Sequence, residues 1–348
     1  MKIALLFSSK DGMASSLHRR RVLDKREEDD PPLDWLAECD SDETIKAVGT
    51  ALGERHDVFP IEADEDAYPK LRDLQPDLVF NIAERLVGPN RESHIPTICE
   101  ILDLPYTGSD PLTLSVCLDK SRAKEILSYH RIPTPAFHVV DNGRPIRPRL
   151  PVIVKPLYEG SSKGIKDNCV VRTTAELKTR IKELQDGYGE PVIVERFLTG
   201  REFTVGVLGN PPHLDILPIV EIDHSQLPAA ANPIYSYEAK WVWDRPDKPL
   251  QIFRCPAELT PALEARMRQV VTRTCEVLRI RDWCRIDVRL DDKDEPNILE
   301  VNPLPGILPN PDDNSCLPKA ARTAGYSYSA LINRVVDEAA ARYGLNHG

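Results

Sequence analysis

Asp287, Glu300 and Asn302 lie within the stretch Trp283–Gly306, WCRIDVRLDDKDEPNILEVNPLPG. Two carboxylates and an amide oxygen suit a hard divalent cation, and Mg²⁺ in particular takes few protein oxygens and completes its shell with substrate phosphates. Arg285 and Asp287 alternate with apolar Ile286 and Val288, the period of a half-buried strand. A polar turn over Asp291–Pro296 leads into a second strand-like run, Ile298–Val301, which closes on Asn302 and Pro305-Gly306. Folded as a hairpin, the run sets the three oxygen donors at one strand end, facing the same way. Read alone, a solvated hairpin with charged outer faces is the lesser alternative.

Upstream stand residues suited to a nucleotide. Pro151–Gly164, PVIVKPLYEGSSKG, reads as a buried strand ending at Lys155 and a turn containing Gly160, Ser161, Ser162 and Gly164. Glycines let backbone approach a phosphate closely, while serines and amides donate to its oxygens. The spacing is not GxxxxGK[ST], and no helical pattern follows the glycines, so neither a P-loop nor a Rossmann fingerprint fits. In isolation such a turn is an ordinary loop. Pro191–Gly209, PVIVERFLTGREFTVGVLG, reads as two strands around Thr199-Gly200, with Glu195 closing one and Glu202 opening the other. These glutamates suit an adenine amine and ribose hydroxyls; exposed edge glutamates are the alternative.

In this order the segments resemble the ATP-grasp superfamily, and within it the D-alanine–D-alanine ligase family. The matching pieces run from about Asp77 onward: Leu104–Lys124 (LPYTGSDPLTLSVCLDKSRAK), VKPLYEGSSKG, VERFLTGREFTVGVLG, Tyr235–Trp241 (YSYEAKW) and the hairpin. The resemblance implies an α/β chain with an N-terminal doubly wound domain and two α+β subdomains clasping ATP. It implies that Lys120 and Lys155 contact the α- and β-phosphates and that Glu195, Arg196 and Leu198 line the adenine pocket, with Glu202 on the ribose. Ser161, with Ser162 beside it in the phosphate-covering loop, would orient the first substrate, and Lys240 would approach the terminal phosphates. Arg285 would stabilise an oxyanion and hold the second substrate's carboxylate. Asp287, Glu300 and Asn302 would bind two Mg²⁺ ions, with Mn²⁺ as a substitute, while Gly306 and Ser315 would contact the second substrate.

The implied reaction joins a carboxylate to an amine. A carboxylate is a poor acyl donor, so ATP's γ-phosphate first activates it; phosphoryl transfer is mainly positioning and charge neutralisation. A guanidinium near the carbonyl oxygen then stabilises the charge that develops on attack by the amine. Gly/Ser lids exclude water from the acyl phosphate.

The N-terminal third departs from the family. The family's Gly-Gly-x-Ser turn is replaced by SSKDG, and no glutamate for the first substrate's ammonium is evident. Leu17–Asp40, mixed in charge with Pro31-Pro32, reads as a flexible loop. The histidine-glycine loop is replaced by Phe80–Pro96, where Glu84, Arg85, Arg91 and Glu92 either take over its contacts or are solvated. Trp241 stands in place of a tyrosine, and ILPNPDDNSCLP replaces the run after Gly306. The changes cluster where the two amino acids would bind. The expectation is therefore a kept reaction with altered substrates: a specialised ligase of peptide-like products beside cell-wall D-Ala-D-Ala synthesis, and poor D-alanine dimerisation. A non-catalytic nucleotide sensor is the other class; Arg285 and both carboxylates speak for the enzyme.

A length of 348 residues and a net charge of −10 fit a multidomain enzyme with small-molecule amino-acid or peptide substrates. No basic stripe suits nucleic acid, and no apolar run suits a membrane. Eight scattered cysteines without zinc spacing read as reduced thiols in a cytoplasmic protein. The expected domains are 1–112, 113–205 and 206–348, and the resemblance implies a homodimer through the first. Strands are expected near 2–7, 57–61 and 77–81, with helices near 43–54, 119–130, 260–278 and 328–343. The charges at Lys178, Arg180 and Lys182 read as a solvated helix face.

Overall fold

The apolar run KIALLF forms β1 (Lys2–Phe7) at the centre of a three-stranded parallel sheet, between β2 (Asp57–Glu62) and β3 (Leu78–Asn81). A run without polar alternation is what a strand covered on both faces requires. In this computed structural model residues 1–15, 34, 36–85, 88–141, 145–239, 243 and 250–345 are described. One sheet face (Ala4, Leu6, Val79) packs on α2 (Ala67–Leu74) and α3 (His94–Ile101). The other (Ile3, Leu5, Leu78, Phe80) packs on α1 (Asp42–Gly53) and on Leu331, Ile332, Val335 and Val336 of α9 (Tyr328–Tyr343). Ser41 caps α1 by accepting from the Thr44 N–H, and Asp42 and Glu43 fill the helix's acidic first turn.

A second sheet, antiparallel throughout, has the order β4 (Phe137–Val140), β7 (Val192–Arg196), β5 (Val152–Pro156), β6 (Val170–Val171). Its helix α6 (Thr174–Tyr188) starts in a Thr173/Glu176 capping box and ends at Gly189, whose φ of +66° closes the C-terminus. Leu177 and Leu184 of α6 meet Val152, Val154, Val192 and Val194 in a core of their own.

The third sheet, also antiparallel, runs β11 (Phe253–Arg254), β10 (Val220–Ile222), β8 (Glu202–Asn210), β12 (Trp283–Leu290), β13 (Pro296–Asn302), with β9 (His213–Ile216) also on β8. Helix α7 (Pro261–Leu278) covers one face, and α8 (Cys316–Thr323) meets the other at Gly206, where a Cβ would come within 2.6 Å of Leu317.

The expected strands and helices form within a residue or two of their expected ends. The change of sheet, however, falls between β7 and β8, because all of β8 pairs in the third sheet; a boundary at 205/206 would cut that strand. Helix α4 (Pro111–Leu118) and α5 (Lys120–Tyr129) also side with the third sheet. Cys117, Leu127 and Ile132 share a core with Met267 and Val271 of α7. Which sheet a helix covers depends on where its apolar side lands, and sequence order alone does not show that.

Candidate active site

The hairpin forms as its alternation predicts. Arg285 pairs with Asn302 and Asp287 with Glu300, and a bulge follows between Asp287 and Val288. Arg285 donates to Asp287 from Nε (3.2 Å) and Nη2 (3.1 Å), and Asn302 Nδ2 donates to Asp287 Oδ2 at 3.3 Å. Lys120, the N-terminal residue of α5, reaches across to Glu300 Oε1 at 2.9 Å and donates to the Glu159 carbonyl at 2.5 Å. One ammonium thus ties the hairpin to the start of the Gly/Ser loop. Burial and the facing Glu300 raise Asp287 above the usual carboxylate range despite Arg285. At Glu300 burial acts the same way, but Lys120 outweighs it and holds the group low. Two carboxylates this close favour a further cation between them.

A buried ladder of charge lies beside the hairpin. Glu195 is 1% exposed and is gripped by Lys155 Nζ at 2.7 Å and Lys124 Nζ at 3.1 Å. Burial opposes its charge, yet the two lysines win and bring it down to about 2. Lys124 also donates to Thr134 Oγ1 and to the Leu299 carbonyl, so it pins Glu195 to β13. Lys124 was legible in the DKSRAK motif but was given no role there. Leu198 is buried, whereas Arg196 is exposed and pairs with Asp292 at 3.2 Å.

At the Gly/Ser loop the structure corrects two expectations. Asp34 and Glu38 belong to the charged stretch read as a flexible loop, yet they are buried and clasp the loop at both ends. Glu38 Oε1 accepts from Gly160 N at 2.8 Å, and Asp34 Oδ2 accepts from Gly164 N at 2.9 Å and from the Tyr188 hydroxyl at 2.7 Å. Residues 17–33 and 35 of that stretch lie outside the described residues. A glutamate therefore does stand beside the loop, inside the charged stretch whose composition hid it. Its carboxylate is fully engaged: Arg91 Nη2 meets both oxygens at 2.9 Å, and Lys163 Nζ meets Oε2 at 2.6 Å. Burial works against its charge, but Arg91 and Lys163 hold it at about 2. Glu159 joins the cluster through Arg91 and Lys163. Arg91, which could have been solvated, is 1% exposed.

Ser161 and Ser162 both take left-handed backbone, φ +49° and +61°, and Ser162 Oγ donates to the Tyr235 carbonyl at 3.1 Å. Non-glycine residues sit there only when the surroundings hold them. Gly160 lies tight against the pinned carboxylate: a Cβ there would come within 2.6 Å of Glu38 Oε1 and force it to shift. Arg180 is buried rather than solvated; its Nη2 donates to the Gly164 carbonyl at 2.8 Å and to Cys169 Sγ at 3.2 Å.

The replacement N-terminal turn serves its own sheet: Ser9 donates to Glu62 from N (2.9 Å) and Oγ (2.7 Å). Asp40 accepts from Ser8 N at 3.0 Å, and burial, aided by Glu62, pushes its carboxyl up to about 7. A raised carboxyl favours the fold while protonated, so this contribution is lost as pH climbs from about 4 to 7. Asp40→Asn is accordingly expected to raise Tm relative to the parent at pH 8 and much less at pH 5. Equal shifts at the two pH values, read by thermal melts, would contradict the assignment.

Glu202 opens β8 beside this wall, and its Oε2 accepts from Arg289 Nη1 at 2.8 Å and meets His224 Nε2 at 3.0 Å. Neither partner was singled out from sequence, although Arg289 extends the Arg285/Asp287 alternation by one step. Ser315 Oγ closes its own loop, accepting from Leu308 N at 3.2 Å and donating to the Gly306 carbonyl at 3.3 Å. Gly306 is exposed, with open space where a Cβ would stand. Lys240 and Trp241 lie outside the described residues. Among the described residues no group of three His, Cys, Asp or Glu side chains is gathered for a metal ion; the hairpin offers two carboxylates and an amide. None of the eight cysteines forms a disulfide, and the Cys275 and Cys284 Sγ atoms lie 3.9 Å apart in the core.

Residues 145–337 match the family model described as D-ala D-ala ligase C-terminus. The D-alanine--D-alanine ligase of Bordetella petrii is 36% identical over 248 residues, 70% of each chain. That of Aquifex aeolicus is 32% identical over 84% of this chain and 93% of its own. The chain belongs to the D-alanine–D-alanine ligase family. As a family member it is an ATP-binding ligase that forms C–N bonds, and the sensor reading falls away. It is also similar, at 33% identity over 90% of this chain and 91% of the other, to a Sinorhizobium fredii protein named "Uncharacterized protein y4sG". The solved D-alanine--D-alanine ligase of Bacillus anthracis shares the fold with a TM-score of 0.70 at 22% identity, over 99% of both chains. Among the described residues no helix of this ligase-family chain is long and apolar enough to cross a membrane.

Proposed function

We propose that the β12–β13 hairpin activates a carboxylic acid with ATP and joins it to an amine, releasing ADP and phosphate. The observation that carries this reading is the register that sets Arg285 beside Asp287, Asp287 opposite Glu300, and Lys120 between Glu300 and the Gly/Ser loop. The donor carboxylate oxygen attacks the γ-phosphorus and ADP leaves; the amine nitrogen then attacks the acyl carbon, and the departing phosphate takes the electron pair of the acyl–oxygen bond and the proton that the amine gives up. Lys120 and Lys155 neutralise phosphate charge, as would Lys240, and Arg285 faces the oxygen that gains charge during amine attack. Asp287, Glu300 and Asn302 have the donor chemistry for Mg²⁺, whose presence would spread the charge of the phosphates. Glu195 and Leu198 wall the adenine, Arg196 flanks it from the surface, and Glu202 takes the ribose. Ser161 and Ser162 hold the covering loop, while Gly306 and Ser315 border the acceptor side. The family reading also carries a homodimer and a cytoplasmic location; light scattering tests the first.

The donor subsite sets the substrates apart. Glu38 gives its oxygens to Arg91, Lys163 and Gly160, and taking up an α-ammonium would break a buried charge cluster. D-alanine dimerisation is therefore expected to be weak. Mg²⁺-dependent ADP release against pooled amino acids and other carboxylic acids, with mass spectrometry of products, tests both points. An amide product from another acid would support the reading. Robust turnover of millimolar D-alanine would overturn the donor assignment, and ATP binding without ADP release from any pool would overturn the ligase mechanism.

A further inference from the structure

Arg289 and His224 share one oxygen of Glu202. Arg289 Nη1 donates to Oε2 at 2.8 Å and His224 Nε2 lies 3.0 Å from the same atom. A carboxylate oxygen only accepts, so the imidazole carries its hydrogen on Nε2. The guanidinium is itself fixed on every side. Its Nε donates to the Gly200 carbonyl at 3.2 Å, Nη2 donates to the Pro233 carbonyl at 2.8 Å, and its carbon lies 5.0 Å from the centre of the Phe197 ring. Arg289 is 3% exposed, and the Glu202 and His224 side chains are 13% and 10% exposed. Phe197 adjoins Leu198, so Arg289 lies between the adenine wall and Glu202.

The consequence is geometric. With Oε2 taken by two donors, one of them the fully tethered Arg289, the carboxylate is held against turning, and among the described residues Oε1 is the atom left to accept from a ligand. Burial disfavours the charge of Glu202, but Arg289 and His224 outweigh it and keep the group ionised. An ionised, fixed acceptor is suited to a hydroxyl pair, because each hydroxyl can donate to it. We infer that Arg289 and His224 are positioning residues that aim Glu202 at the ribose hydroxyls of the nucleotide and thereby set selectivity for a ribonucleotide over its deoxy analogue. This rests on the reading of Glu202 as the ribose acceptor.

The experiment compares ATP with 2′-deoxy-ATP and 3′-deoxy-ATP by steady-state ADP release, using the full chain with Mg²⁺ and an acid–amine pair found to turn over. A buried acceptor left without its hydroxyl donor should make the parent prefer ATP by about tenfold in kcat/KM. His224→Phe fills the ring's space without the donor, and Arg289→Met keeps the stem without the fork. In both, the preference should shrink severalfold, with the loss falling on KM for ATP, and His224→Gln, which still donates, should restore most of it. If Arg289→Met does not fold, the His224 pair carries the test. Unchanged preference in His224→Phe and Arg289→Met, alongside its collapse in Glu202→Gln, would overturn the positioning role. Unchanged preference in Glu202→Gln itself would overturn the ribose reading beneath it.

Discussion

Glu300→Gln is expected to slow ADP release by about a thousandfold or more while the protein stays folded. The substitution keeps the shape of the side chain and removes one of the two carboxylates that face each other in the β12–β13 register. Three losses coincide. The proposed divalent-ion site drops to one carboxylate and two amides, a poor set for a hard cation. Lys120 keeps only a neutral amide oxygen in place of its 2.9 Å carboxylate partner, so it is held less firmly toward the phosphate it is proposed to meet. Asp287 loses the neighbour whose charge raises it and pairs more firmly with Arg285, holding that guanidinium back from the carbonyl it is proposed to face. Removing a single preorganised charge contact typically slows chemistry by a hundred- to a thousandfold, about 3–4 kcal/mol, and here several depend on one oxygen pair. Folding has less at stake, because the Glu300 side chain is 25% exposed and Lys120 retains a carbonyl. Steady-state rates beside thermal melts decide the matter. Retained turnover would remove the hairpin from the chemistry, and loss of folding would show that the ion pair serves stability.

Arg91→Met is expected to cost about 3 kcal/mol of stability and most of the activity. Arg91 and Glu38 are each 1% exposed at the side chain, and their pairing is closed by Lys163, Glu159 and the Tyr158 carbonyl. Deleting one partner of a buried pair leaves the other charge stranded, a loss of about 3–5 kcal/mol. The lower end applies because Lys163 remains beside Glu38. The effect on activity follows from location, since Glu38 also holds the Gly160 N–H and so the start of the covering loop. Urea unfolding measures the stability change, and limited proteolysis between Gly160 and Gly164 reports the loop's release. The double variant Glu38→Gln with Arg91→Met should recover part of the stability but leave the loop open. A loss below about 1 kcal/mol in the single variant would show that the cluster tolerates an unpaired carboxylate.

Residues whose geometry is local were the legible ones. Asp287, Glu300 and Asn302 meet across one hairpin, so alternation and a polar turn sufficed to bring them together. β1 was legible because an uninterrupted apolar run has few other uses, and α7 because its apolar positions recur at helical spacing. What stayed hidden depends on distance along the chain or on packing direction. Glu38 lies 122 residues from Gly160 and behind a charged stretch that dominates its composition. Arg180 sits among Lys178 and Lys182 on a helix that looks uniformly solvated, and only the fold shows that one of the three turns inward to Gly164. Arg289 was within reach, one step beyond Asp287 on the same strand face. Its partner His224 was not, since a short helical turn after β10 delivers it.

The core shared by β1 and α9 bears on how the chain is made. Ile3 and Leu5 emerge early from the ribosome, yet the side chains that cover them include Leu331, Ile332, Val335 and Val336, synthesised more than 300 residues later. The β4–β7 sheet, by contrast, finds the core it shares with α6 between Val140 and Val194, and only its smaller second cluster reaches on to Phe197 and Ile234. Domains tend to fold as their own cores become available during synthesis. The middle of this chain is therefore ready to fold before its beginning, and the N-terminal sheet must wait with one apolar face covered only in part, by α1. Nascent chains halted before Tyr328 would be the ones most in need of a chaperone.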